Sequence, residues 1–373
     1  MEKLTLLATA AFGLEGVAAR ELKQLGYEQA QAENGGARFE GTLLDAFKAN
    51  LRLRTADRVQ IVLAEAECRS FEALFQLVNG LPWEKWLTPD MAIHVSGNCA
   101  RSALMSVRDC QAIAKKAIIE RLKARTRASY FPETGPVCPV LVRLHGDIAR
   151  IAIDTSGDAL NRRGYRTWNG EAPIRETLAA ALVELSPWRP GQRLHDPCCG
   201  TGTLMIEAAL IQTNTAPGLN RDFVCEGFRG FPSAEAKTLR GEARSARTGD
   251  ALDNITGSDI DAEALTLAGR HCRQAGLGGK LRLTQTPLEK LEVEGEEGVF
   301  LCNPPYGVRL SDQKACQRLY GELRRLQDRH PGWTLCAISS DPAFERAYGR
   351  RADRKRRMYN GRLECEFLTF RPR

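Results

Sequence analysis

The spacing of apolar residues changes several times along the chain. Residues 3–10 (KLTLLATA) read as extended. From Leu14 onward Val17, Ala18, Leu22 and Leu25 recur at helical spacing as far as Gly26. That helical periodicity runs straight through Glu15, Arg20 and Glu21, across the cleavage site a secretory leader would need, so the apolar N-terminal stretch is not read as a secretory leader. With the turn glycines and short extended runs of GGARFEGT, residues 1–53 read strand, helix, strands, helix.

Residues 54–157 form a second block. RVQIVLAEAEC reads as a strand. FEALFQLVNGLPWEKWL reads as a helix, a turn at Gly80–Pro82 and a second short helix, and MAIHVSGN as a strand. A long helix follows, with Ile113, Ala117, Ile118 and Leu122 on its apolar side. PVLVRLHGDIARIAIDTSG predicts a hairpin turning at Gly146–Asp147. Strands and helices mixed with hairpins predict a small α+β module.

In residues 158–373 short apolar runs alternate with helical segments: RLHDP, then TLMIEAALIQ; ITGSDID, then AEALTLAGRHCRQAG; LRLTQT; VFLCNPP, then a polar helix around KACQRLYGELRRLQ; WTLCAISS. This rhythm predicts an α/β, Rossmann-like, mostly parallel sheet with ligands at the carboxyl ends of its strands. Asn360–Gly361 between two extended runs predicts a terminal antiparallel hairpin.

Composition narrows the function classes. The chain has 373 residues, 43% of them hydrophobic and 27% charged, which suits ordinary globular domains. No apolar run approaches the ~18 residues of a membrane helix. The net charge of +7 is compatible with an anionic partner. Twelve cysteines are scattered without a C-x-x-C pair or a His at zinc spacing. Reduced thiols, a cytoplasmic location, no membrane partner and no metal are the expectation.

Three loops carry candidate chemistry. Asp196-Pro-Cys-Cys-Gly200-Thr-Gly202-Thr203 falls between a strand and a helix. Its glycines allow close backbone approach to a ligand, and the helix start offers free N–H groups. Met205 stands where a dinucleotide fingerprint needs Gly or Ala, and no Lys-Ser/Thr follows as in a phosphate loop, so nicotinamide cofactors and ATP are disfavoured. The acidic residue that opens the loop suits an amino-bearing ligand. By itself such a turn is also compatible with a plain strand-to-helix connection.

In Gly257-Ser-Asp259-Ile-Asp261, at the end of the next strand, Asp259 is placed to accept ribose hydroxyls and Asp261 to cap the following helix, with Ala264, Leu265 and Ala268 inward. In Asn303-Pro304-Pro305-Tyr306-Gly307 the prolines stiffen the loop and remove two donors. The Asn303 side-chain carbonyl and the Pro304 carbonyl remain as acceptors for an exocyclic amine, and the ring of Tyr306, rather than its hydroxyl, is expected to stack on a planar base.

The three loops, in this order on successive strands, resemble class I S-adenosylmethionine-dependent methyltransferases that methylate amines. TADRVQIVLAEAECRSFEALFQLVNGLPWEKWL, SALMSVRDCQAIAKKAIIERL, DTSGDALNRRGYR, EAPIRETLAAAL and YNGRLECEF resemble the THUMP-domain RNA guanine-N2 methyltransferases, above all the bacterial group acting on 23S ribosomal RNA. The resemblance covers nearly the whole chain. It implies a ferredoxin-like segment at 1–53, a THUMP RNA-binding domain at 54–157 and a catalytic domain at 158–373. Asp196, Gly200 and Gly202 would line the S-adenosylmethionine loop, Asp259 would hold the ribose, and the segment around Thr177 would close the methionine end. Asn303, Pro304 and Tyr306 would grip the guanine. Many relatives carry an acidic residue after the third strand for the adenine amine; here Thr286 and Pro287 stand there, which leaves Gln285 or backbone for that task.

Two basic clusters suit an RNA partner. One lies between Arg101 and Tyr130 and includes Lys115, Lys116, Lys123 and Arg127. The other, at 350–357, includes Arg354 and Lys355. Each alone also suits a solvated face. His195 reads as a strand terminus, and neither Cys198 nor Cys199 is needed as a nucleophile, because the methyl of a sulfonium is already activated. The acceptor loop also suits guanine in tRNA, adenine N6 in DNA or a protein glutamine amide. A non-catalytic RNA-binding assembly factor is the reading from another class.

Overall fold

A computed structural model of the chain describes residues 2–126, 130–166, 174–249, 251–306 and 310–373. They form two compact units, the first made of residues 1–10, 18–160 and 221–241, the second of 11–17, 161–220 and 242–373.

The first unit is built on one sheet of seven strands, β1 (Leu4–Thr9), β2 (Gln31–Glu33), β3 (Gly36–Gly41), β4 (Arg58–Glu67), β5 (Ala92–Ala100), β6 (Val137–His145) and β7 (Ile148–Asp154), in the order β2-β3-β1-β4-β7-β6-β5. β1 pairs with both β3 and β4, so the sheet runs without interruption across the boundary expected at residues 53–54. Helix α1 (Glu15–Gln24) follows β1. α2 (Leu43–Arg52) starts at a capping box in which Thr42 and Asp45 satisfy each other's backbone N–H. Ser70 caps α3 (Phe71–Asn79) and Ser106 caps α4 (Val107–Arg125). The second short helix expected after Pro82 is a single 3₁₀ turn at Trp83–Lys85. On α4 the core face is Cys110, Ala114, Ala117, Ile118 and Leu122, while Ile113 is only half-buried. The hairpin turns at Gly146–Asp147, both with positive φ, as a two-residue type I′ turn requires. Residues 221–241 belong to this unit: Phe223 and Phe231 meet the ring of Phe47 on α2, and the Arg240 guanidinium lies 5.3 Å from that ring.

The second unit carries the other sheet: β8 (Leu194–Asp196), β9 (Ile255–Asp259), β10 (Arg282–Gln285), β11 (Glu297–Cys302), β12 (Gly332–Ser339), β13 (Arg354–Asn360) and β14 (Leu363–Phe370), in the order β10-β9-β8-β11-β12-β14-β13. The first five are parallel; β14 runs antiparallel to β12 and to β13. This is the expected Rossmann-like sheet with its terminal hairpin. Asn360 pairs with Leu363, so the hairpin loop is Gly361–Arg362, one residue later than the Asn-Gly signal suggested. The helices from residue 176 on are α5 (Glu176–Leu185), α6 (Thr203–Gln212), α7 (Ser233–Ser245), most of which belongs to the first unit, α8 (Ala262–Gln274), α9 (Leu310–Arg329) and α10 (Phe344–Tyr348). The core between α9, α10 and the β11–β12–β14 strands contains Phe300, Tyr320, Leu323, Trp333, Phe344, Tyr348 and Phe370. Strand order reverses between β8, β9 on one side and β11 on the other, the place where open parallel sheets form a crevice. Among the described residues no helix is long and apolar enough to cross a membrane.

Candidate active site

The carboxyl ends of β8, β9 and β11 bring the three predicted loops to that crevice. The loop after β8 is left-handed at Gly200 (φ +50°) and Gly202 (φ +80°), a backbone that L side chains resist. A Cβ on Gly200 would point into open space with no atom within 4 Å; at Gly202 it would lie 3.2 Å from the Ala268 Cβ. The loop is stitched to its neighbours: Cys199 N–H donates to the Ser258 carbonyl (3.0 Å), and a His271 ring nitrogen lies 3.1 Å from the Thr201 carbonyl. Gly202 is the N-cap of α6 and supplies no side-chain acceptor, so the first-turn N–H groups have no side-chain cap.

Asp259 ends β9. One carboxylate oxygen accepts from the Gly200 N–H (2.8 Å) and the other from the Asp261 N–H (3.0 Å). Asp261 is the N-cap of α8, accepting from Glu263 and Ala264, as expected; Ala268 is buried, and Ala264 and Leu265 half-buried. Asp196 is 1% exposed and accepts from the Cys198 N–H (3.1 Å). Burial pushes its carboxyl well above the usual range; the Cys198 N–H opposes this and the Asp259 charge adds to it. Burial also holds the Cys198 and Cys199 thiols protonated. His195 lies within β8, its ring nitrogens 2.7 Å from Thr256 Oγ1 and 3.0 Å from Ser258 Oγ. Burial lowers it to about 3, so it is a neutral strand-to-strand brace.

Ile260, between the two aspartates, is 71% exposed, an apolar platform that sequence reasoning passed over. An apolar residue that follows the strand-end acid was the available signal. Gln285 stands opposite Asp259 in the β9–β10 register, and its amide donates to the Ile260 carbonyl (3.1 Å). Thr177 is buried in the first turn of α5. Arg166 donates to the Ile174 carbonyl and pairs with Glu176, while the Tyr165 hydroxyl donates to the fully buried Glu207 of α6 (2.8 Å), with Arg163 3.6 Å from the same oxygen. A glutamate inside the apolar run TLMIEAALIQ was the sign of that network.

In the third loop Asn303 and Tyr306 are half-buried, Pro304 is buried and Pro305 is exposed. The Tyr306 hydroxyl donates to the Asn303 side-chain oxygen. The expectation for Tyr306 concerned its ring; the hydroxyl makes this further contact with the Asn303 acceptor. Asn360 of the hairpin lies near enough to Tyr306 to bear on its hydroxyl. Tyr320 donates to the Pro305 carbonyl (3.0 Å); the Pro304 carbonyl has no donor among the described residues. Gly307 lies outside the described residues.

The basic clusters are partly neutralised. Lys115 pairs with Glu133, Lys116 with Glu120 and Arg121 with Glu84, while Lys123 is exposed with no carboxylate partner among the described residues; Arg127 lies outside them. In the second cluster Lys355 is held by Glu345 and Glu366, and Arg354 is exposed without such a partner among the described residues.

Three family models match the chain: an RlmL ferredoxin-like domain at residues 5–60, a THUMP domain at 68–154 and an RMKL-like methyltransferase domain at 163–369. The chain is 40% identical over 372 residues to the Bacillus subtilis protein named "Putative RNA methyltransferase YpsC", covering 99% of this chain and 96% of that one. It is 35% identical over 383 residues to the "Ribosomal RNA large subunit methyltransferase K/L" of Syntrophotalea carbinolica. That match takes in 98% of this chain and 53% of the other, so the chain spans about half the length of that relative. The crystal structure of SMU.472, described as "a putative methyltransferase complexed with SAH", matches with a TM-score of 0.94 and 39% identity over 100% of this chain and 99% of its own.

Proposed function

The chain belongs to the RMKL-like methyltransferase family, and from that premise we propose that it transfers a methyl group from S-adenosylmethionine to the N2 amine of a guanine in RNA, with 23S ribosomal RNA as substrate. The observation that carries this reading is the acceptor loop, where the Pro304 carbonyl and the Asn303 amide stand one strand from the Asp196 loop. A THUMP match in the same chain favours folded RNA over DNA or protein as the bearer of the amine.

The residues fit the cofactor. The uncapped start of α6 suits a carboxylate, the buried Asp196 an ammonium, Asp259 the ribose hydroxyls, and Ile260 with Gln285 a purine. S-adenosylmethionine supplies an activated sulfonium methyl. The chain's part is to hold the amine with acceptors on both hydrogens, so that its lone pair is turned toward the donor, and to exclude water. Guanine-N2 methylation of RNA extracted from a strain lacking the enzyme, read by mass spectrometry, tests the proposal. Methyl groups on adenine instead would overturn the substrate.

Cofactor binding should release a proton. Burial favours the protonated Asp196 in the free protein, and an ammonium beside it favours the carboxylate. Affinity should therefore rise with pH through the acidic range and flatten above the raised pKa. Calorimetry across the acidic range in buffers of different ionisation enthalpy should detect the release, and Asp196→Asn should abolish it. Buffer-independent heats would remove Asp196 from this role.

Salt dependence should separate the paired from the unpaired cations. Lys123→Gln and Arg354→Gln should each flatten the log–log salt slope of RNA binding by about 0.7–0.9, one phosphate contact apiece, whereas Lys355→Gln should change it less. Unchanged slopes for Lys123 and Arg354 would leave both as solvated surface.

A further inference from the structure

Phe12, between β1 and α1, and Tyr359 of the terminal hairpin form an aromatic pair that the cofactor and acceptor loops do not use. Phe12 is 55% exposed, and its ring meets that of Tyr359 edge-on, with centroids 5.6 Å apart and planes at 88°. Tyr359 is fixed in turn: its hydroxyl donates to Glu364 (2.9 Å) and accepts from Arg357 (3.3 Å). Holding Phe12 at the surface is a built feature. Gly13 adopts φ +89°, and a Cβ there would lie 2.4 Å from the Arg357 carbonyl, so only glycine lets this turn lie against β13. The Arg356 guanidinium then donates twice to the Gly13 carbonyl, at 2.7 and 3.0 Å. A turn clamped this firmly, with a large apolar ring left facing water, points to a ligand for the ring.

The neighbourhood says what kind. Tyr359 is next in sequence to Asn360, a neighbour of Tyr306, and consecutive strand residues face opposite sides. A single strand crossing the hairpin tip would meet the acceptor loop on one face and the aromatic pair on the other. Arg362 in the tip and Arg354 at the start of β13 are exposed, with no carboxylate partner among the described residues, and offer positive charge to a phosphate backbone. An exposed ring against a hairpin that also carries exposed cations suits unpaired bases.

We propose that the Phe12–Tyr359 pair is a stacking shelf for an unpaired nucleobase that flanks the target guanine. The shelf rests on the RNA reading above and adds a second base contact to it.

Phe12→Leu keeps an apolar side chain against Tyr359 but removes the ring; Phe12→Tyr keeps the ring. The probes are extracted large-subunit RNA and a short single-stranded RNA with 2-aminopurine beside one guanine. Phe12→Leu should weaken RNA binding at least fivefold and raise KM for RNA more than it lowers kcat. It should relieve the 2-aminopurine quench and leave S-adenosylmethionine affinity and melting temperature unchanged. Phe12→Tyr should behave as the parent. If the parent methylates guanine and Phe12→Leu binds RNA as tightly, the shelf fails and the functional reading stands. If the parent leaves guanine N2 unmethylated but Phe12→Leu still weakens RNA binding, that reading fails, and with it the flanking guanine, while the pair stands as a stacking shelf for an unpaired base. A change in oligomeric state with Phe12→Leu, RNA affinity being unaltered, would make the patch a protein contact and overturn the proposal.

Discussion

Asn303→Ala should lower turnover about a hundredfold or more while binding of cofactor and RNA largely survives. The substitution removes the side-chain acceptor for the amine and leaves the Pro304 carbonyl alone. Nothing then fixes the direction of the amine lone pair, and a misplacement of about 1 Å can cost that much in rate. The loop at 196–202 is held by Asp259 and by the Cys199 backbone bond to Ser258, neither of which involves Asn303, so the cofactor subsite should persist. Tyr306 separates two versions of the mechanism. With a ring that only stacks, Tyr306→Phe would be nearly silent. Because the Tyr306 hydroxyl donates to the Asn303 oxygen, Tyr306→Phe should free the amide to rotate and lower kcat by roughly tenfold, the worth of one good hydrogen bond. Tyr306→Ala should lose stacking as well, about 1–3 kcal/mol. Single-turnover rates on extracted ribosomal RNA distinguish these cases. Full activity in Asn303→Ala would sink the mechanism.

What the sequence reveals follows from the range of the forces involved. The hairpin at Gly146–Asp147 and the Asp261 cap are local: a turn type that demands positive φ, or a side chain that satisfies N–H groups two and three residues on, leaves its mark within a few positions. The mostly parallel character of the second sheet is legible because strand-like and helical runs alternate, and β8, β9 and β11 each end on a loop motif. The core face of α4 is less so. Ala114 is inside and Ile113 half-buried, since a partner helix and strand choose the face, and alanine gives little hydrophobic signal. The passage of β1 and β4 into one sheet depends on pairing far along the chain. So does the capture of residues 221–241 by the first unit, through Arg240 on Phe47. Side-chain pairing was least visible. The basic clusters count as charge in the sequence, but Glu84, Glu133, Glu345 and Glu366 reach back to neutralise part of them. Tyr306 bonding Asn303 spans only three residues, yet depends on the fold of a loop with two prolines.

Asp259→Ala should weaken S-adenosylmethionine binding by about 1.5–3 kcal/mol, the usual cost of losing hydrogen bonds to a charged group, or roughly ten- to a hundredfold. RNA affinity should barely change. The carboxylate has two duties. It accepts the Gly200 N–H and so sets the glycine loop against β9, and it accepts the Asp261 N–H at the start of α8. Its remaining lone pairs are available to ribose hydroxyls. The alanine variant loses all of these at once, leaving the Gly200 N–H without its acceptor beside the open space that a ligand would fill. Asp259→Asn sorts the duties. Its amide keeps one oxygen, which can serve Gly200 or Asp261 but not both, and its NH₂ faces another donor. Asparagine should therefore recover only part of the affinity. Calorimetry with S-adenosylmethionine, alongside thermal melting without it, reads the two effects separately. A loss of affinity in both variants with little change in melting places the carboxylate on the ligand. A fall in melting temperature with unaltered affinity makes Asp259 a brace for the loop and removes it from the binding site.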